Sequence, residues 1–169
     1  GPVDINPPLG AVVHKIETAL QMYEKVLELY DKADIVFKAA AVADYRPVEA
    51  KKQKIKKSQG SMVLEMVRNP DILLELGKRK KHQILVGFAA ETSELEIYAQ
   101  DKLVRKNLDF ILGNDVSKAG VGFQSETNQG ILFCRSGESI PIPMLDKEEF
   151  ADRLIDEVVK RMDKGGCYG

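Results

Sequence analysis

The stretch DIVFKAAAVADYRP, residues 34–47, decides the fold class. After Asp34 its first half is apolar apart from Lys38. A run of that kind suits a parallel strand covered on both faces. Its second half thins to alanine and then presents Asp44, Tyr45 and Arg46 before Pro47 stops it. Two further runs share the pattern: ILVGFAA (84–90) and LDFILGND (108–115). Between them, Ser93 to Asn107 reads as a helix, with Leu95, Tyr98, Ala99 and Leu103 on one face. Strand alternates with helix, which implies a doubly wound, mostly parallel α/β sheet.

Other segments fill in around this frame. AVVHKI (11–16) reads as a short strand. Thr18 can cap a following helix whose apolar positions are Leu20, Met22, Tyr23, Val26, Leu27 and Tyr30. KKQKIKKSQGSMVLEMV (51–67) alternates with period two around Gln59-Gly60, which predicts an inserted β-hairpin. AGVGFQSETNQG (119–130) is expected as a loop. ILFCR and SIPIPM are expected to pair as a terminal hairpin, and Asp146 to Met162 to close the fold as a helix. The boundaries expected are one domain over 1–164 and a disordered tail over 165–169.

Composition narrows the function classes. The 169 residues are 44% apolar and carry 25 basic against 26 acidic side chains. That balance argues against a general nucleic-acid or membrane-surface binder. No run approaches the ~18 apolar residues of a membrane span. Cys134 and Cys167 form no C-x-x-C, and a reducing cytoplasm is the simplest setting. The opening GPVDINPP is not a signal peptide and reads like the middle of a longer protein.

In an open parallel sheet, ligands bind beyond the carboxyl ends of the strands. The three runs end there in AAAVADYRP, GFAAET and GNDVS. Small side chains at Ala39, Ala40 and Ala41 let a planar ligand reach the backbone; helix packing would explain them equally. Asp44 could orient a sugar hydroxyl, hold Mg²⁺ between phosphates, or only make a turn. Lys54 belongs to the densest basic cluster, which is a solvated face unless the strand fixes it as one directed cation. Asn69 and Pro70 read as the start of a helix, with Asn69 as cap, and free amides there can receive an anion or a base carbonyl. Lys102 and Lys106 share a helical face. Phe88 suits a core position or a stacking platform. No G-x-x-x-x-G-K-[ST] or G-x-G-x-x-G occurs, and His14 and His82 have no metal-spaced partner.

Taken in order, AAVADYRP, KIKK, NPDIL, GFAAET, KNLD and NDVS resemble the phosphopantothenoylcysteine synthetase family of coenzyme A biosynthesis. The resemblance runs from the first residues to about Met162. It implies a Rossmann-like fold whose inserted β arm makes a homodimer. It also implies a ligase that uses CTP and Mg²⁺ to activate 4′-phosphopantothenate as an acyl-cytidylate. The amine of cysteine then attacks, and CMP and pyrophosphate are released.

By the same resemblance, Ala39, Ala40, Ala41 and Asp44 face the nucleotide, Asp44 through the cation. Lys54 contacts the triphosphate and stabilises the activation transition state. Pro70, Asp71, Ile72 and Leu73 receive the base, Phe88 packs on the nucleotide, and Lys102 and Lys106 neutralise phosphates. Asn114 and Asp115 lie near that pocket. In bacteria the family is commonly fused to the matching decarboxylase, to which an FMN would belong. The family's upstream glycine-rich turn and Ser-Ser-Gly-Lys stretch do not occur in these residues, so an N-terminally truncated domain is expected. The alternative reading is a non-catalytic nucleotide-binding or dimerisation module of a larger enzyme.

Overall fold

A computed structural model describes residues 5–49, 53, 61–91, 94–115 and 125–162. In chain order the elements are α1 (Ala19–Tyr30), β1 (Ile35–Lys38), β2 (Tyr45–Pro47), β3 (Met66–Arg68), α2 (Ile72–Arg79), β4 (Ile84–Glu91), α3 (Leu95–Arg105), β5 (Phe110–Asp115), β6 (Thr127–Cys134), β7 (Ser139–Asp146) and α4 (Lys147–Met162). They fall into two compact units: Gly1–Asp31 with Ala40–Ile72, and Lys32–Ala39 with Leu73–Gly169.

The larger unit holds a five-stranded sheet in the order β1-β4-β5-β6-β7. β1, β4 and β5 pair in parallel, as their continuous apolar runs require. β6 is antiparallel to both β5 and β7. Four of the five strands therefore point one way, and the expected mostly parallel α/β sheet is present.

Alternation along the strands builds two faces. On one face Ile84, Val86, Phe110, Leu112, Leu132, Cys134 and Ile142 meet Phe150, Leu154 and Val158 of α4 in one core. Each such side chain, fully buried, contributes roughly 1.5–3 kcal/mol. On the other face lie α2 and α3, which approach closely because two strands offer them glycine. A methyl added at Gly87 would stand 3.0 Å from Leu73, and one at Gly113 would stand 3.0 Å from Leu95.

The amino edge of this sheet is tied by a buried carboxylate. Asp109 takes Lys80 Nζ on one oxygen at 2.6 Å and the Leu85 amide on the other at 2.8 Å. Beside it, Asn107 adopts a left-handed φ of 53° and gives its side-chain amide to the Gly77 carbonyl at 2.9 Å. At the far end of the core, Arg161 grips Glu138 at 2.7 and 2.9 Å and also bonds the nearly buried Glu157. Those bonds hold the Arg161 guanidinium's proton more tightly than usual, that to Glu138 first.

In the smaller unit, α1 begins with a capping box. Thr18 accepts from the Gln21 amide at 3.2 Å, and Gln21 reaches back to the Thr18 amide at 3.0 Å. β2 and β3 pair antiparallel, Tyr45 opposite Arg68 and Pro47 opposite Met66. Of the hairpin expected over 51–67, only Met66 and Val67 fall in this pair, opposite Pro47 and Arg46, which precede it; its turn at Gln59-Gly60 lies outside the described residues, as does the tail 165–169.

Three local expectations are corrected. AVVHKI (11–16) pairs with neither sheet, and Val12 remains 82% exposed. Its apolar letters are those of a strand, but a strand exists only where an edge accepts it. Asn69 is not the cap of α2, which starts three residues later; its side chain bonds Ala43 and Arg46 instead. Thr127–Gly130, expected in a loop, opens β6. Backbone pairing there overrides the polar side chains.

Candidate functional site

In the larger unit, the carboxyl ends of β1, β4 and β5 lie on one edge because the three strands are parallel. Ala39 follows β1 and is exposed. At the end of β4, Ala89 is buried, while Phe88 is half-buried against the α4-side core. Phe88 is thus anchored from behind, with part of its ring open. β5 ends in Asn114 and Asp115.

Asn114 has an unusual environment. Its Nδ2 donates to Asn128 Oδ1 at 2.6 Å. Its own Oδ1 is buried and has no partner among the described residues. That oxygen lies over Gly130, where an added methyl would stand 3.0 Å from it. The β6–β7 register shifts between Asn128 and Gly130, a bulge of the kind that re-aims side chains beside functional sites. A buried acceptor without a donor invites one from a ligand or a water.

Lys102 and Lys106 are placed differently from the expected convergence on this edge. α3 runs back from the end of β4, so Lys106 stands just before β5 begins. Its carbonyl lies against Gly77, toward the end of α2. Lys102 is on α3, which covers the face opposite α4, and Lys106 follows the end of that helix. Helix direction decides which edge they reach.

In the smaller unit, Ala40 and Ala41 are exposed, and Asp44 is an exposed carboxylate just before β2. Pro70, Asp71 and Ile72 lead into α2, whose next residue is Leu73; Ile72 and Leu73 are both buried. Their backbone is therefore fixed while the amides of the first turn have no carbonyl within the helix to bond. Asn69 ties these residues to the Asp44 segment. Its amide donates to the Asp44 carbonyl at 2.8 Å, and its side chain donates to the Ala43 carbonyl at 2.8 Å. Arg46 holds both the Asn69 side-chain oxygen, at 3.1 Å, and the Arg68 carbonyl, at 2.9 Å.

Arg68 lies over the Tyr45 ring, 5.7 Å from its centroid, and donates to its hydroxyl at 3.2 Å. That bond, with lesser help from Asp44, raises the affinity of Arg68 for its proton. Sequence reasoning gave no role to Arg46 or Arg68 and read Asn69 only as a cap. The available signal was that Arg46 lies within ADYRP, that Asn69 opens NPDIL and that Arg68 directly precedes it.

Lys54 lies outside the described residues. Among those described, no group of three or more His, Cys, Asp or Glu side chains could hold a metal ion. Mg²⁺ that arrives on a triphosphate asks only one or two carboxylates of the protein, and Asp44 fits that requirement. No helix among the described residues is long and apolar enough to cross a membrane.

A mostly parallel sheet with helices on both faces and polar groups at the carboxyl ends of its strands defines a Rossmann-like α/β domain. Within that class, residues 1–162 match the family described as DNA/pantothenate metabolism flavoprotein C-terminal domain, and the chain belongs to it. A coenzyme A biosynthesis bifunctional protein, CoaBC, of Bacillus subtilis (strain 168) is 45% identical over 159 residues, or 94% of this chain and 39% of that protein. The crystal structure of the C-terminal domain of a CoaBC superposes with a TM-score of 0.77 at 36% identity, covering 96% of this chain and 72% of that one. A mutant of Cab2 in complex with phosphopantothenate-cysteine shares the fold, with a TM-score of 0.67 at 21% identity over 88% of this chain and 52% of its own. The chain spans about two fifths of the length of the curated relatives it matches.

Proposed function

We propose that this chain is the synthetase part of a coenzyme A biosynthesis protein. It would join 4′-phosphopantothenate to cysteine through an acyl-cytidylate made from CTP, giving 4′-phosphopantothenoylcysteine, CMP and pyrophosphate. The observation that carries this reading is the membership of residues 1–162 in the family, together with 45% identity to a coenzyme A biosynthesis protein. The Cab2 complex holds phosphopantothenate-cysteine, the product that this reaction would make.

Attack of a carboxylate on an α-phosphate concentrates negative charge, which fixed cations must meet. Lys54 is the residue assigned to that role. Asp44 would take the Mg²⁺ that travels with the triphosphate, a cation that screens the phosphate charge. Ala39, Ala40 and Ala41 would leave their backbone open to the nucleotide, Pro70 to Leu73 would offer main-chain groups to the base, and Phe88 would pack on it. The family resemblance gives Lys102 and Lys106 phosphate contacts; since Lys106 stands toward the amino edge, the two are left out of the set proposed at the carboxyl edge. Asn114 and Asp115 complete the set.

The protein would act in the cytoplasm as a homodimer through the β arm. Exposed apolar side chains along the returning half of that arm, among them Val63, Leu64 and Met66, support this. A fused decarboxylase is the expected neighbour, since the named relatives are bifunctional.

Titration with CTP and ATP, followed by a pyrophosphate-release assay with phosphopantothenate, tests the reading. CTP binding with release that depends on phosphopantothenate is expected. Binding without release would favour the second reading, a nucleotide-binding module with no chemistry of its own.

A further inference from the structure

Arg46 and Asn69 belong to no ligand-contacting role assigned so far, yet among the described residues of the smaller unit they make the densest side-chain network. β2 and β3 are only three residues each, and Pro47 cannot donate to their ladder. So short an antiparallel pair is marginal alone. Just beyond its end, the chain adds four polar attachments on Asn69 and Arg46. The Asn69 amide bonds the Asp44 carbonyl, and Asn69 Nδ2 bonds the Ala43 carbonyl. Arg46 Nη1 then bonds Asn69 Oδ1 and the Arg68 carbonyl.

The chemistry at each position is specific. Pro70 has no amide hydrogen, so the Ala43 carbonyl receives the side-chain amide of Asn69. A proline at 70 also restricts Asn69 to extended backbone, which presents that side chain across the strand pair. An amide is the side chain of this size that donates to a carbonyl while accepting from a guanidinium. Because Arg46 occupies the oxygen, the amide orientation is fixed and Nδ2 faces Ala43.

We propose that Asn69, locked by Arg46, is a positioning residue that holds the Ala43–Asp44 strand end and the Pro70–Ile72 segment in one register, so that both present to the nucleotide as a preformed unit. This rests on the nucleotide-binding reading above. Asp44 gives only its main-chain carbonyl to the clamp; its carboxylate accepts none of these four bonds. Asn69 and Arg46 act through the segments they join.

The test compares CTP affinity by calorimetry, KM for CTP and for cysteine, and thermal melting in the purified protein and its variants. Asn69→Ala should weaken CTP binding by about 10- to 100-fold, the scale of a small misplacement of binding groups. KM for cysteine should stay within about twofold, as expected when only the nucleotide's contacts have moved. Arg46→Lys keeps the charge but loses the rigid planar group that aims one nitrogen at both acceptors, and should weaken CTP binding by about three- to tenfold without a drop in melting temperature. The double variant Arg46→Ala/Asn69→Ala should bind no worse than Asn69→Ala, because Arg46 works through Asn69. A protein that binds CTP equally well with and without these substitutions overturns the inference alone, whatever its melting temperature. Failure of the unsubstituted protein to bind CTP overturns the functional reading and the inference together.

Discussion

Lys80 and Asp109 form an ion pair of 2.6 Å at the amino edge of the sheet, with only 13% and 2% of their side chains exposed. The second Asp109 oxygen accepts from the Leu85 amide, so one carboxylate joins the end of α2 to two neighbouring strands. Removal of one member of a buried pair costs about 3–5 kcal/mol, because it strands the other. Lys80 keeps a wet edge, so Asp109→Ala should lie at the low end, about 3 kcal/mol. Asp109→Asn preserves an acceptor for Leu85 and should lose about half as much. Urea denaturation midpoints give both values. Equal losses would mean that the acceptor kept by asparagine contributes nothing and that the charge carries the whole effect.

Gly77 lies in a helix, where alanine would ordinarily gain up to about 1 kcal/mol. Here a methyl would stand 1.9 Å from the Lys106 carbonyl oxygen, and that atom is backbone. Gly77→Ala should therefore destabilise by about 1–3 kcal/mol, the cost of forcing two packed backbones apart. A variant as stable as the parent in thermal melts would show that α2 and α3 are not so close.

Lys54→Ala should lower the rate of acyl-cytidylate formation by about 10²–10³, the cost of one transition-state donor. Single-turnover pyrophosphate release with phosphopantothenate measures it. Lys56→Ala serves as the neighbouring control and should have the smaller effect, since Lys54 is the residue assigned to the triphosphate. The reverse order would mean that the hairpin register places Lys56, not Lys54, on the phosphates.

Val63 is 91% exposed, and Leu64 and Met66 are exposed with it. If the arm mediates dimerisation, Val63→Lys combined with Leu64→Lys should give a monomer in analytical ultracentrifugation. A dimer that survives both substitutions would move the interface elsewhere.

The three parallel strands could be read from sequence because burial on both faces leaves a continuous apolar signature. α1 was equally legible, since Thr18 and Gln21 spell its capping box. AVVHKI misled because the apolar pattern of a strand does not say whether an edge will accept it. The carboxyl-edge groups Ala39, Asn114 and Asp115 followed from strand order alone. Lys102 and Lys106 did not, because a shared helical face carries no information about the direction in which the helix runs. Asn69 was misassigned for a similar reason: Asn before Pro is a common helix start, and only the fold brings Ala43 within its reach. The Asn114 oxygen left over Gly130 had no sequence signal, since it depends on a bulge in the next strand of the chain.

β7 passes into α4 with no intervening residue. Asp146 ends the strand and also caps the helix, accepting from the Glu148 and Glu149 amides at 3.0 and 2.8 Å. The pleat of β7 thus sets the rotational phase of α4. One extra residue at that junction would turn the helix by about 100°. Phe150, Leu154 and Val158 would then swing toward water together, as if a key had been cut one notch out of step. Length at this seam is consequently under tighter constraint than side-chain identity.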